Sequence, residues 1–207
     1  MLKLLSKLFN KKLVTSSVPI DTNVSDDEIR EVLHPSGQAT LSHKKEKLSN
    51  FLKFITSHLN KSESQCLTKV AVRASCEAAS PFDALTEVMS GDDGQKRGQW
   101  VFIQVDWKAD DEIFWQSSEI LSLYGVEDKW TYTDTSQYSD APKVLKNLSE
   151  WLDNHGFSLV HLETESDWYC CFIVKSPELI TVKDLASIAG LQIYDADEFA
   201  SRNPSNN

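Results

Sequence analysis

The sequence predicts an α+β fold in which a mixed β-sheet is covered by packed helices and preceded by a helical N-terminal segment. Three observations carry this prediction. Apolar residues recur at helical spacing through the first half of the chain, which indicates amphipathic helices. After the loop at 91–98, strand patterns alternate with helical patterns in the order β-α-β-α-β-β-α-β. Residues 168–175 are apolar on both faces, which is typical of a central, covered strand.

The first half of the chain is predicted to contain an arm, a linker and four helices. Residues 1–24 form the amphipathic arm and the linker, and residues 25–91 form a helical segment that packs on the main domain. The run from Ser25 to Glu28 has the pattern of a capping box, and it opens a helix that ends before Pro35. The other helices, the last of which starts with an N-capping serine followed by proline, are expected at residues 44–59, 63–79 and 81–90.

The second half, residues 97–200, is predicted to form the α+β domain, and residues 201–207 are predicted to form a disordered tail. Glycines follow its helices, as C-terminal caps do. The helices are expected at residues 110–124, from 141 to Gly156 and from Thr181 to Gly190. The strands are expected at residues 99–107, 129–133, 157–163, 168–175 and 191–194, with the third and fourth joined as a hairpin.

Charge is distributed unevenly along the 207 residues. Residues 1–64 hold ten Lys/Arg and seven Asp/Glu, a net charge of +3, whereas residues 65–207 hold eleven and twenty-four, a net charge of -13. An acidic domain repels phosphate backbones, so the sequence argues against nucleic-acid binding. The same field attracts positive charge, so a basic protein is the expected kind of partner.

The four cysteines do not have the spacing of a metal site. Cys66, Cys76, Cys170 and Cys171 include no C-x-x-C pair, and such pairs are the usual spacing of zinc ligands. We therefore expect buried, reduced thiols in a protein of the cytoplasm. No cofactor and no metal are expected.

Residues 1–13 have the pattern of a surface-seeking helix. Leucines and Phe9 occupy one half of that helix, while Lys3, Lys7 and Lys11 lie mostly on the other half. One interpretation is weak contact with a membrane surface, and the other is an arm that frays or docks on its own domain. The second is favoured because about a dozen residues are marginal as an isolated helix. No segment approaches the roughly 20 apolar residues of a membrane-spanning helix.

The stretch V-D-W-K-A-D-D-E-I-F-W-Q, residues 105–116, holds four carboxylates and two tryptophans. A helix dipole explains Asp110, Asp111 and Glu112, since it stabilises each carboxylate in the first turn by roughly 0.3–1 kcal/mol. It does not explain Asp106, which ends a predicted strand where ligand crevices of open α/β sheets lie. A structural role, a binding surface and a catalytic or metal site are the alternatives, in that order of preference.

The tryptophans separate the first two alternatives. Trp107 and Ile113 are expected to be buried, whereas the three carboxylates of the first helical turn are expected to be mostly exposed. Trp115 is turned about 200° from Ile113 around the helix, so it leaves the buried face. A partly exposed Trp115 beside Lys108, Asp111 and Glu112 would be the best interface anchor. A Trp115 enclosed by the N-terminal helices would be a core residue.

A small hydrolase or metal-dependent enzyme is the third alternative. It would use Asp106, one of Asp110 or Asp111, and His161 from a neighbouring strand, converging in a cleft of ~300–1,000 Å³. The motifs G-x-S-x-G, G-x-x-x-x-G-K-[ST], G-x-G-x-x-G and H-E-x-x-H do not occur. The carboxylates also lack the D-x-D-x-D-G rhythm of calcium loops.

Two segments carry a resemblance to a known family. D-W-K-A-D-D-E-I-x-W-Q at 106–116 and E-S-D-W-Y-x-x-F-I-V at 165–174 resemble an uncharacterised family of bacterial proteins that is catalogued only as a domain of unknown function. In such relatives the second motif usually resembles T-G-S-D-x-Y, and Glu165 replaces that glycine here, so the resemblance does not imply its tight-turn or ligand role. The resemblance covers roughly the second half of the chain. It implies a bacterial cytoplasmic protein of similar fold and no particular activity.

The sequence therefore predicts a non-enzymatic, acidic protein-binding module, such as an inhibitor or immunity-type partner of a basic protein. This prediction depends on the charge of the second half and on the lack of a recognised catalytic motif. The expected binding residues come from the two motif segments and are Asp106, Lys108, Asp111, Glu112, Trp115, Asp167 and Tyr169.

Overall fold

The structure is a computed structural model that describes residues 35–132 and 141–203. The chain divides into two compact units, residues 1–39 and 40–207. Of the first unit only residues 35–39 are described, and they are helical. The arm at 1–24 and the helix predicted before Pro35 therefore lie outside the described residues.

Three helices precede the sheet: α1 (Pro35–Ile55), α2 (Lys61–Ala74) and α3 (Pro81–Ser90). The apolar stripe predicted for the helix at 44–59 is buried, namely Leu48, Phe51, Leu52, Ile55 and Leu59. The helix itself ends at Ile55, so the last residue of the stripe lies beyond it. Because this stripe begins only at Leu48, the sequence pattern places the start of α1 too late. The chain turns after α1 because Asn60 caps α2, accepting a hydrogen bond from the Glu63 N–H at 2.9 Å.

The predicted start of α3 is confirmed. The Ser80 side chain accepts a hydrogen bond from the Asp83 N–H, and the Asp83 carboxylate accepts one from the Ser80 N–H, which closes a capping box. Pro81 occupies the first turn, where its missing N–H costs nothing. Gly91 follows the last residue, as predicted.

The second half has four strands and four α-helices within the described ranges, and the α+β class is confirmed. Gly125 and Gly190 follow two of the helices with φ of 77° each, a conformation that glycine adopts without steric cost. A 3₁₀ turn, Ser176–Glu178, precedes α6. The elements are β1 (Phe102–Asp106), α4 (Glu112–Leu123), α5 (Ala141–Asn154), β2 (Phe157–Leu162), β3 (Trp168–Lys175), α6 (Leu179–Ala189), β4 (Ile193–Tyr194) and α7 (Ala196–Arg202).

The strand order is β1-β3-β2-β4, and all three pairings are antiparallel. The prediction of a mixed sheet is therefore wrong, although the predicted hairpin of β2 and β3 is confirmed. The physical reason lies in that hairpin. Its second strand, β3, inserts between β1 and β2, so these two run in the same direction but do not pair. With no parallel pair, Asp106 does not lie at the crevice of an open α/β sheet.

One predicted strand is absent from the described residues, and two helix boundaries differ from the prediction. Residues 129–132 form no strand, because Trp130 is held by side chains instead: its ring stacks on Phe114 at 4.7 Å and its Nε1–H donates to Asn147 at 3.0 Å. The last predicted helix starts before Thr181, since the chain enters α6 directly from the 3₁₀ turn. Helix α7 includes Ser201 and Arg202, which the sequence pattern assigns to the tail.

The sheet is covered on both faces, each by its own apolar core. Phe102, Phe172 and Val174 face a core shared with α1, α2, α3 and α6. The side chains that alternate with them, such as Ile103 and Ile173, face a second core shared with α4 and α5. The prediction that β3 is apolar on both faces is confirmed, since residues 170–174 are all buried. None of the helices in the described ranges has the length and apolarity to cross a membrane.

The free edge of β1 is closed by two glutamine side chains. Gln95 Oε1 accepts from the Val101 and Phe102 N–H groups at 3.1 and 2.8 Å, and Gln95 Nε2 donates to the Phe102 carbonyl at 3.1 Å. Gln116 repeats the pattern two residues along, since its amide accepts from the Gln104 N–H at 2.7 Å and donates to the Gln104 carbonyl at 2.9 Å. These amides take the place of a neighbouring strand.

Candidate functional site

The fold brings the two motif segments together at one end of the sheet. Asp106, the last residue of β1, is the cross-strand partner of Trp168, the first residue of β3. The chain before Trp168 is the β2–β3 turn, residues 163–167, and the chain after Asp106 leads into α4. We call this region the sheet end, and define it as residues 106–108, residues 163–167 and Tyr169.

Trp107 is the most exposed aromatic side chain of the sheet end. Its exposed fraction is 46%, so the prediction that it is buried is wrong. That prediction required β1 to continue through residue 107, whereas the strand ends at Asp106. The Asp106 carboxylate accepts a hydrogen bond from the Lys108 N–H at 3.0 Å and turns the chain out of the sheet. The Trp107 carbonyl accepts from the Ala141 N–H at 3.3 Å, which fixes this turn to the start of α5.

A charged group contacts the Trp107 ring, and several carboxylates belong to the same motif segments. The Lys108 ammonium lies 4.3 Å from its centroid, in the geometry of a cation–π contact. Asp106 and Asp111 are exposed and Asp110 is half-buried. Across the β1–β3 pairing, Asp167 is also exposed. The Trp107 ring therefore has one charged contact among the described residues, Lys108, while Asp106, Asp111 and Asp167 are exposed carboxylates of the two motif segments.

Trp115 belongs to a different patch, although the sequence pattern places it with Trp107. It is half-buried, its Nε1–H donates to the Glu112 carboxylate, and its ring meets Trp100 at 4.8 Å. The guanidinium of Arg97 lies 4.0 Å above the ring and pairs with Glu119 at 2.8 Å. The N-terminal helices do not enclose Trp115, so it is partly exposed, but its neighbours already satisfy its polar and aromatic groups. Ile113 is fully buried, as predicted.

The β2–β3 turn keeps a left-handed residue where the sequence has glutamate. Glu165 has φ of 51°, a conformation that glycine favours. Its N–H donates to Glu163 Oε1 at 3.0 Å, and the Thr164 hydroxyl donates to the Trp168 carbonyl at 2.8 Å. The hydrogen bonds that Glu163 accepts from the Glu165 N–H and the Tyr194 hydroxyl lower the pKa of its carboxyl. The tight turn is therefore preserved without glycine.

His161 does not join the carboxylates of the enzyme alternative. It is the register partner of Cys171, which pairs with Ile103, so His161 lies three positions along the sheet from Asp106. At about 3.3 Å per residue and 4.8 Å per strand, this separates the two by more than 10 Å. Burial lowers the pKa of His161 to about 3, so the ring is neutral. Its Nδ1 has no hydrogen-bond partner among the described residues.

Helix α7 contributes residues that the sequence interpretation missed. Phe199 stacks on His161 at 3.7 Å and meets Tyr169 edge-on at 5.7 Å, while Arg202 lies 4.0 Å above the ring of Tyr194. Asp195 and Glu198 form a capping box at the start of α7, and this spacing was visible in the sequence as D-A-D-E. That signal was sufficient to find the helix.

Two small cavities flank the β2–β3 turn. One has a volume of about 320 Å³ and lies against the start of α3 and the loop at 190–192. The other, of about 210 Å³, lies against α7 and is lined by Tyr169, Tyr194 and Arg202. Both are lined by Glu163 and Thr164. Within the described part of the chain, no group of three or more His, Cys, Asp or Glu side chains is placed to hold a metal ion.

Comparison with known proteins gave one match. The family model described as "Domain of unknown function (DUF6630)" matches residues 27–197. That range contains both motif segments and every strand of the sheet. No curated protein and no solved structure matches the chain.

Proposed function

The chain belongs to the DUF6630 family, and from that premise we propose that it is a non-enzymatic protein-binding module of the bacterial cytoplasm. Its partner is a basic protein, and the module acts on it as an inhibitor or immunity-type protein does. The observation that carries this proposal is the half-exposed Trp107 at the sheet end.

An exposed tryptophan is a strong anchor because burial of its large ring contributes much of the binding energy of a typical interface. The backbone of Trp107 is held by the turn of Asp106 and by α5. A partner therefore meets a ring that is already in place and loses little conformational entropy on binding. Trp115 is the anchor that the sequence favours. Less of its ring is free for a partner, because Trp100, Arg97 and Glu112 already contact it.

Charge supports a basic partner. Residues 65–207 carry a net charge of -13, and the exposed carboxylates of Asp106 and Asp111 lie in the same motif segment as Trp107. Opposite charge on the partner raises the association rate, and it makes the affinity fall as ionic strength rises. We assign this role to Asp106, Lys108, Asp111 and Asp167, which the sequence predicts as binding residues. Glu112 instead accepts a hydrogen bond from Trp115 in the other patch.

The geometry gives the enzyme alternative little support. Asp106 and Asp111 are exposed, and His161 is buried behind Phe199 on another strand. General acid–base catalysis needs these groups within hydrogen-bond reach of one substrate. They face different surroundings and do not line a common cavity.

The test is affinity capture from a lysate of the source organism, with the immobilised full-length chain and its Trp107→Ala variant. We expect a retained basic protein that elutes as salt rises and that the variant does not retain. The matched control is Ile180→Ala, since Ile180 is the most exposed large apolar residue among those that the structure describes, at 76%, and lies on α6, outside the sheet end. A poly-lysine peptide serves as a probe of charge alone, and both variants should bind it as the wild type does.

Two results would count against the proposal. In the first, no protein is retained above the level of an empty matrix. In the second, Trp107→Ala retains the same proteins as Ile180→Ala, which would remove the sheet end from the binding surface.

A further inference from the structure

Helix α7 is a short helix that packs against β2, β4 and α5. It has seven residues, and none of them is buried. Phe199 rests on His161 and Arg202 rests on Tyr194, and these two covered residues are themselves cross-strand partners on β2 and β4. Two turns of helix are not stable alone in water. The helix is therefore held by these two ring contacts, by the edge-on contact of Phe199 with Tyr169, and by its charges.

The attachment also includes unfavourable features. Phe199 covers His161 although the Nδ1 of that ring has no hydrogen-bond partner among the described residues, and a buried polar atom without a partner costs free energy. Burial and the nearby carboxylate of Asp197 raise the pKa of Asp153 on α5, which marks a repulsion between the two acids. Against these stand the ion pairs of Lys183 with Asp195 at 2.6 Å and with Glu198 at 2.8 Å.

The family match includes the residues that α7 covers, but it does not include the two side chains that cover them. The match ends at residue 197, so His161, Tyr169 and Tyr194 lie inside it, whereas Phe199 and Arg202 lie beyond it. The face that α7 covers therefore belongs to the family domain, and the two residues that cover it do not fall within the matched range.

We propose that α7 is a removable cover, and that the sheet face beneath it, centred on His161, is a docking site for a partner segment that presents an aromatic ring and a cation as Phe199 and Arg202 do. The chemistry of the partner segment is inferred from the side chains that α7 presents to this face. An aromatic ring stacks on the His161 ring, and a cation one helical turn later lies over Tyr194 beside the Glu163 carboxylate. Such a segment competes with α7 for the same face.

In this competition the tethered helix α7 has an advantage over a free segment. A tethered segment acts at an effective concentration in the millimolar range, so the same residues supplied as a free peptide bind only where the tethered copy has been weakened. Phe199→Ala removes the ring contact and leaves the covered face unchanged. Lys183→Gln is a second way to weaken the cover, because it removes both ion pairs and alters no residue of that face.

The first measurement is amide hydrogen exchange of the full-length chain at pH 7. In Phe199→Ala we expect the protection of the α7 amides to fall at least tenfold, while that of the β3 amides changes less than twofold. If α7 and β3 lose protection together, or if α7 is unaffected, then α7 is an integral part of the domain and the proposal fails. Lys183→Gln gives the same reading if the first variant does not fold.

The second measurement is an NMR titration with the capped peptide D-A-D-E-F-A-S-R-N, residues 195–203. We expect it to shift the signals of His161 and Tyr169 in Phe199→Ala with at least tenfold higher affinity than in the wild type. The matched probe has alanine in place of phenylalanine and should shift nothing. Equal effects of the two peptides, or no effect of either, would overturn the docking site. The proposal does not depend on the role of Trp107, so Trp107→Ala should leave both measurements unchanged.

Discussion

The binding surface proposed here depends on the end point of one strand. If β1 continued by one more residue, Trp107 would turn to the face that Val105 occupies and would enter the core shared with α4 and α5. The Asp106 side chain ends the strand by bonding the Lys108 N–H. The turn that includes this hydrogen bond therefore places Trp107 at the surface.

Glu165 is a non-glycine residue with a strained backbone conformation. A non-glycine residue at φ of 51° costs roughly 1–2 kcal/mol, and the additional freedom of glycine in the unfolded chain returns about 0.5–1 kcal/mol of that. We predict that Glu165→Gly raises the free energy of unfolding by up to about 1 kcal/mol, as measured by urea denaturation. Glu165→Ala keeps the strain and should give no increase. A glycine variant less stable than the alanine variant would show that the turn is unstrained.

The titration of His161 predicts that α7 detaches more readily at low pH. In the covered state burial lowers its pKa to about 3, and in the open state the pKa returns toward its ordinary value of 6.5. The covered state is therefore fully favoured above pH 6.5, and it loses about 1.4 kcal/mol, or a factor of ten, for each pH unit below that value. We expect the protection of the α7 amides, corrected for intrinsic exchange, to fall about fivefold between pH 6.5 and 5.5 and about ninefold between pH 5.5 and 4.5.

The control for this prediction is His161→Phe, which keeps a ring under Phe199 and removes the titration. Its α7 protection should be constant over the same pH range, and an equal fall in both proteins would contradict the assignment. Protonation of Asp153, whose pKa is raised by burial, would favour covering. Protonation of Asp195 or Glu198, whose pKa values are lowered by hydrogen bonds that include those from Lys183, would weaken the ion pairs with Lys183. The other titratable groups around His161 are Glu163, Tyr169, Cys171, Tyr194 and Asp197.

At the scale of elements, the edge of β1 depends on Gln95 and Gln116. Replacing Gln116 with leucine leaves the N–H and the carbonyl of Gln104 without partners. We predict that Gln116→Leu lowers the free energy of unfolding by roughly 2–4 kcal/mol. It should also promote association through the opened edge, seen as larger species in light scattering. The same change at the exposed Gln65 on α2 is the control, and equal effects at both positions would refute the role of the edge.

Elements whose signals are local could be predicted from the sequence. The cap of α3, the buried stripe of α1 and the bounds of β3 depend on near neighbours in the chain, and all three match the structure. The antiparallel sheet could not be predicted, because the position of β3 between β1 and β2 depends on contacts between distant residues. The strand expected at 129–133 failed for the same reason, since Asn147 on α5 and Phe114 on α4 hold Trp130.

At the scale of the whole molecule, helices cover both faces of the sheet, so the binding surface proposed here lies at one end of it. Both motif segments meet at one end, and neither their meeting nor the exposure of Trp107 follows from a local pattern. The sequence singled out residues 105–116 because four carboxylates exceed what a helix start requires. It could not predict the exposure of Trp107, since helical geometry describes Trp115 but says nothing of where β1 ends.

The central claim is that Trp107 anchors a basic protein partner at the sheet end. The most direct test is the dissociation constant of the captured partner for the wild type, Trp107→Ala and Ile180→Ala, measured by calorimetry. Loss of a central anchor costs about 2 kcal/mol or more, which is roughly a thirtyfold weaker affinity. We predict a weakening of at least that size for Trp107→Ala and less than about threefold for Ile180→Ala. A Trp107→Ala affinity within threefold of the wild type would contradict the claim.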